Sequence, residues 1–233
     1  MSSSPRLTLY RANGACSIIP HSVLLHYGIP FTSVLMQPGA AMTPAGIRYV
    51  AADGSLTHED YLAINPAGYV PALVVGEGAE AKTITETPAL LTYISSLVPQ
   101  AKLLGDGLLQ QTKVVEWMNW LSGTLHSRGF SMYVFPGRVI DDENAHPAVK
   151  LKAQDLILKG FARIDEWLRG KEFAVGDGLT VVDFYLYPFW MWGLMNGFDL
   201  EPYPTYAQYA KRIESLEGVR KALAAEGIPP SFE

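Results

Sequence analysis

The chain has 233 residues, which is long for one domain and comfortable for two. Apolar residues make up 48% and charged residues 18%, so a full core can be buried and a disordered chain is excluded. A net charge of −5 without any basic cluster speaks against nucleic acid or an anionic membrane as partner.

Met1–Pro5 lacks a basic region followed by an apolar stretch, and no apolar run reaches the length of about 18 residues that a membrane span needs. The expected location is cytoplasmic, with no membrane partner. Leu7–Tyr10 reads as a short strand and Arg11–Ala15 as a loop. Cys16–Tyr27 reads as a helix, with Ile19, Val23 and Leu24 near helical spacing and Gly28 closing it. Pro20 is compatible because it falls in or near the first turn. Phe31–Met36 is a second strand. Gln37–Asp60 reads mostly as loop, with Asp53-Gly54 a possible hairpin tip between Ile47–Ala52 and Ser55–Thr57. Ala72–Val75 and Lys82–Ile84 are two further strands, and Glu86–Leu97 is a helix.

Residues 1–97 are therefore α/β, in the order β-α-β-β-β-α. Residues 98–108, with Pro99 and Gly105-Asp106-Gly107, read as a linker, and 109–233 as an all-helical domain. Its helices are expected at Leu109–His126, Val149–Leu168, Thr180–Met195, Tyr206–Ile213 and Leu216–Ala225.

Cys16 is the only cysteine, which excludes an intrachain disulfide, a Cys-x-x-Cys pair and a cysteine-cluster zinc site; no metal is expected. It stands where a loop becomes a helix, and helix N-terminal amides favour a thiolate. A small buried apolar residue is the other reading of its position. Ser17 offers a hydroxyl to a bound sulfur, or is a routine helix-start residue. Val70-Pro71 directly precedes a strand, after the turn Asn65-Pro66-Ala67-Gly68-Tyr69. A cis bond there would free the Val70 backbone for a peptide-like ligand; a trans proline opening an edge strand is the commoner case. Thr85-Glu86-Thr87-Pro88 opens a helix as an ordinary cap, or as a site holding a carboxylate on free amides and Thr87, with Glu86 for an ammonium.

Together these segments resemble the soluble glutathione transferases, whose N-terminal domain is thioredoxin-like. Gly14-Ala15-Cys16-Ser17 looks like the segment with which the bacterial beta class places its cysteine. Asn65-Pro66-x-Gly68-x-Val70-Pro71-Ala72-Leu73 and Glu86-Thr87 also stand where the family has them, and Thr180-Val181-Val182-Asp183 matches its helix-capping box. Trp117-Met118-Asn119-Trp120, followed by Leu125-His126-Ser127-Arg128, resembles the beta-class helix that faces the cleft.

The resemblance implies glutathione as co-substrate, held by Tyr69, Val70, Pro71, Glu86, Thr87 and Asn119, with Tyr10 packing near the site. It implies Cys16 as the catalytic group, with Ser17 and His126 beside it and His126 able to hold or receive a thiol proton. Trp117, Trp120, Phe130 and Tyr133 would wall a site for a small apolar electrophile, and the protein would be a homodimer. Conjugation of glutathione, thiol transfer through Cys16, or both are expected. A non-catalytic glutathione-binding or interaction module, and an isomerase or dehalogenase of the same fold, are the alternatives. His21, His26, His58 and His146 read as surface or capping residues. The chain departs from the beta class in offering no Lys within Gln37–Leu56, in Ser127 after the cleft histidine, and in Thr124 for an acidic residue.

Overall fold

The computed structural model describes residues 5–43 and 46–232, and the reading of Met1–Pro5 falls almost wholly outside them. Two compact units emerge. The first takes the chain up to Val98, apart from Thr43–Gly46, together with Leu216–Pro230; the second takes Pro99–Ser215. The break after Val98 lies beside the expected linker. The last helix, however, groups with the first unit and not with the helical half.

The first unit is a five-stranded sheet in the order β3-β2-β1-β4-β5. Its strands are β1 (Leu7–Arg11), β2 (Thr32–Thr43), β3 (Gly46–Ala51), β4 (Ala72–Val75) and β5 (Lys82–Thr85). Its helices are α1 (Ile18–His26), α2 (His58–Ile64) and α3 (Thr87–Ser96). β1 runs parallel to β2 and antiparallel to β4, with Tyr10 opposite Ala72; β4 is antiparallel to β5. Side chains alternate across β1. Leu7 and Leu9 are buried on one face. Tyr10 and Ala12 turn to the other, into a cluster with Met36, Tyr49, Tyr61, Val70 and Ala72.

Two elements correct the expected β-α-β-β-β-α order. β3 and α2 lie inside the stretch read as loop, and β2 extends past Met36 to Thr43. Asp53-Gly54 is not a hairpin tip. It makes a turn just after β3, with the Ser55 N–H donating to Asp53 Oδ1 at 2.9 Å. α2 opens on a capping box between Thr57 and Asp60. That is the same Thr-x-x-Asp signature as Thr180–Asp183, set before a helix too short to show a period. α1 starts at Ile18, so Cys16 precedes its first turn.

The second unit is helical: α4 (Gly107–Trp120), α5 (Met132–Val134), α6 (His146–Leu168), α7 (Val181–Met195) and α8 (Pro204–Glu214). From Leu121 to Ser131 the chain between α4 and α5 widens into π-type turns, where a helix ending near His126 was expected. Ser122, Gly123, Thr124 and Gly129 are weak α-helix formers. A Cβ on Gly160 of α6 would come within 2.7 Å of Leu125, so this glycine lets α6 approach the wide stretch. α7 is buried nearly all round and forms the centre of the unit.

The capping box that opens α7 is formed. Asp183 Oδ2 accepts from the Thr180 N–H and hydroxyl at 2.6 and 2.9 Å, and Oδ1 accepts from the Ala174 N–H at 2.9 Å and from the Tyr209 hydroxyl. Replacing Asp183→Ala orphans these buried donors together. Unfolding in urea should show a loss on the order of 3 kcal/mol or more, beyond that of a lost cap alone. A loss under about 1 kcal/mol would show that the carboxylate is not the hub of this end of α7.

Candidate active site

The antiparallel pairing of β1 with β4 puts the segment that follows β1 beside the segment that precedes β4. Cys16 lies on the first and Val70 on the second. The buried Cys16 Sγ donates to the Val70 carbonyl at 3.3 Å. The Val70–Pro71 peptide is cis, which general frequencies did not favour. Among the described residues nothing accepts from the Val70 N–H, and such groups normally have partners when buried.

The approach to Val70 is fastened from below. Asn65 Nδ2 and the Tyr61 hydroxyl both donate to the Tyr69 carbonyl at 2.7 Å. Asn65 Oδ1 accepts from the Ala67 N–H at 3.1 Å, and Gly68 turns the chain at a φ of +69° that favours glycine. Burial pushes the Tyr61 phenol up, so it stays a neutral donor. Tyr10 packs on Tyr61 with ring centroids 5.5 Å apart, as a strand residue under the site. The Tyr69 side chain is exposed.

Glu86 lies between β5 and α3 at φ +67°, ψ +117°, a conformation that side chains seldom adopt. Its side chain is exposed and caps nothing, while Thr87 is buried at the helix start. Strain held without a local hydrogen bond to repay it points to use by a ligand.

Ser17 does not turn its hydroxyl outward. It is fully buried, and its Oγ both accepts from the Ala12 N–H and donates to the Ala12 carbonyl, each at 3.0 Å. The hydroxyl closes the β1–α1 loop, which leaves Cys16 as the group presented there.

Two family models match the chain: glutathione S-transferase, N-terminal domain, over residues 15–97, and glutathione S-transferase, C-terminal domain, over residues 128–217. A solved bacterial beta-class glutathione S-transferase from Sphingomonas chungbukensis is 30% identical, with a TM-score of 0.76 over 95% of this chain and 100% of that one. The chain belongs to the glutathione S-transferases. A sphingomonad glutathione S-transferase solved in complex with glutathione is 29% identical, with the same TM-score and coverage. Glutathione S-transferase GST-4.5 of Xanthomonas campestris pv. campestris is 28% identical over 228 residues, or 95% of this chain and all of that one.

The other expected site residues of this transferase lie in the second unit. Asn119 is exposed on α4 and donates to the Val115 carbonyl at 2.9 Å. His126 lies in the π-type stretch, stacked on Trp192 at 5.4 Å and set edge-on to Phe189 at 6.4 Å. Trp117 is fully buried between Trp120 and Trp167, and Phe130 sits among Phe161, Phe189 and Phe198. Both are core residues and not pocket walls. Trp120 is half-buried beneath Arg163, and Tyr133 packs on Phe198.

His21 also departs from its expected place on the surface. It is buried, with Nδ1 2.8 Å from Glu226 Oε1 on α9 (Glu217–Glu226). No local pattern marks a pair so far apart in sequence.

Burial pushes the His126 pKa from its ordinary 6.5 down to about 4, and the charge of Arg138 adds to the effect. The imidazole is therefore neutral at pH 7. The unfolded chain binds the proton first as pH falls. Stability from the neutral imidazole is therefore complete above pH 6.5 and is lost on the way down to about pH 4. In His126→Phe that component is absent. Urea midpoints of the variant should fall less between pH 7 and 4 than those of the wild type, and parallel declines would contradict the assignment.

Proposed function

We propose that this transferase binds glutathione along its N-terminal unit and transfers it through Cys16, by thiol exchange as well as by conjugation to a small electrophile. The observation that carries the reading is the contact between Cys16 Sγ and the Val70 carbonyl. It brings the thiol beside the Val70 N–H, which pairs with nothing among the described residues and suits an extended peptide. In this reading the Val70 N–H and carbonyl pair with the cysteinyl part of glutathione. Glu86 and Thr87 hold its γ-glutamyl end, Glu86 by its ammonium and Thr87 by its carboxylate. Tyr69 and Pro71 border the same ligand, and Asn119 and the neutral His126 stay candidate contacts.

Thiol exchange then follows from the chemistry of sulfur. Cys16, as thiolate, attacks one sulfur of oxidised glutathione. The S–S bond breaks, a Cys16–glutathione disulfide forms, and the proton lost by Cys16 ends on the glutathione released. No second cysteine exists, so a further glutathione must attack the mixed disulfide and regenerate Cys16. A reducing cytoplasm supplies that thiol. The reading includes a homodimer, for which the exposed Leu108, Leu109 and Val115 on α4 offer an apolar strip that a second subunit would cover.

Intact-mass spectrometry after treatment with oxidised glutathione should show one added glutathione, and Cys16→Ser should abolish both the adduct and thiol transfer. Thiol transfer that survives Cys16→Ser would remove the covalent role and leave conjugation alone. Retention on immobilised glutathione without turnover of several electrophiles would instead favour a binding module. Glu86→Gly removes the strain and the carboxylate at once. The melting temperature should hold or rise, while KM for glutathione rises about tenfold for the lost charged contact. An unchanged KM would free Glu86 from any part in binding.

A further inference from the structure

The β1–α1 segment that ends in Cys16 is held by a residue from the far end of the chain. Glu226, the last residue of α9, is buried. Its Oε2 accepts the Gly14 N–H at 2.8 Å, two residues ahead of Cys16. Its Oε1 lies 2.8 Å from His21 Nδ1 and 3.9 Å from Arg11 Nη1. Arg11 is buried as well, and ties the segment to its surroundings through Nε on Ser33 Oγ at 2.8 Å and Nη1 on Asn13 Oδ1 at 2.7 Å.

Apolar packing contributes to the attachment of α9 alongside this carboxylate. Val219, Ala222 and Leu223 are buried along the helix, and Gly218 seats it against α1, where an added Cβ would come within 2.3 Å of the Ser22 carbonyl. Buried ion pairs seldom outdo apolar packing in stability, because both charges must leave water. What Glu226 adds to that packing is a charged acceptor for the backbone beside Cys16.

We propose that Glu226 is the positioning residue for Cys16, setting the place of its sulfur from the C-terminal helix. The proposal rests on the reading of Cys16 as the reactive thiol. Among the described residues Glu226 makes no hydrogen bond or ion pair to Val70, Glu86 or Thr87. Its loss should therefore misplace the sulfur without weakening the hold on glutathione.

The test is Glu226→Gln in the full-length protein, a nearly isosteric change that keeps an acceptor for Gly14 and removes the charge that faces Arg11 and His21. The kcat for thiol transfer should fall by about tenfold or more, since small misplacements of a reacting group are costly. KM for glutathione should stay within about threefold, the pattern of an interaction made only on the way to the transition state. The rate at which an aromatic disulfide labels Cys16 should change by about tenfold as well. A residue that merely anchored α9 would lower the melting temperature and leave these rates alone. A folded Glu226→Gln protein with kcat and labelling rate within about twofold of wild type overturns the proposal. If that variant does not fold, His21→Gln, which releases one arm of the same carboxylate, is read in the same way with an expected loss of about threefold or more. If neither folds, Glu226 serves folding alone and the proposal is equally overturned. Cys16→Ala, assayed alongside, separates the two readings. Activity that survives it removes the premise, whereas its loss together with an unchanged Glu226→Gln removes only the role of Glu226.

Discussion

The arrangement of the first unit depends on one pairing, that of β1 with β4. β1 lies inside the sheet, parallel to β2 on one side and antiparallel to β4 on the other. Because β4 runs the opposite way, the end of β1 meets the start of β4, and Tyr10 stands opposite Ala72. A loop leaving β1 must then pass the loop entering β4. Cys16 meets Val70 through this register and not through any attraction of its own. A slip of one residue would turn Tyr10 and Ala72 to the other face and separate the two groups.

The register is in turn protected by polar groups that are satisfied locally. Ser17 closes its loop on Ala12, and Asn65 and Tyr61 converge on the Tyr69 carbonyl. Each bond is modest in net energy, about 1 kcal/mol, but an unpaired buried group would cost more than that. These residues therefore act by excluding alternative loop conformations. Glu86 is the exception, since its strained backbone gains no local hydrogen bond from its side chain. Like the Val70 N–H, it is a place where the unit leaves a local backbone need unmet among the described residues.

What could be read from the sequence follows from the range of the interactions. Cys16 before a helix, Val70-Pro71 before a strand and the Thr180–Asp183 box are local patterns, and each was legible. β3 and α2 were not. β3 exists because β2 is there to pair with it, and α2 is a single short stretch of seven residues whose capping box was its only signal. The π-type stretch was hidden for a related reason: Leu121 and Leu125 fit an ordinary helical face, and the widening shows only in how α6 packs on it. Ser17 was placed correctly in the chain and misread in role, because the atom that claims its hydroxyl is five residues away on the backbone. The surroundings of His126 were hidden too, since the aromatic rings packed on it come from α7.

The partnership of His21 with Glu226 is the extreme of this scale, the two standing 205 positions apart. Closing such a loop costs about 2–3 kcal/mol more than closing one of ten residues. Burying a carboxylate adds a further penalty. The apolar face of α9 offsets both by removing Val219, Ala222 and Leu223 from water. The charged group of Glu226 is bonded to backbone beside Cys16, which apolar packing alone would not hold. It also means that the first unit is incomplete until the last helix has been made. The geometry around Cys16 thus draws on both ends of the chain, with Val70 on one side and Glu226, through Gly14, on the other.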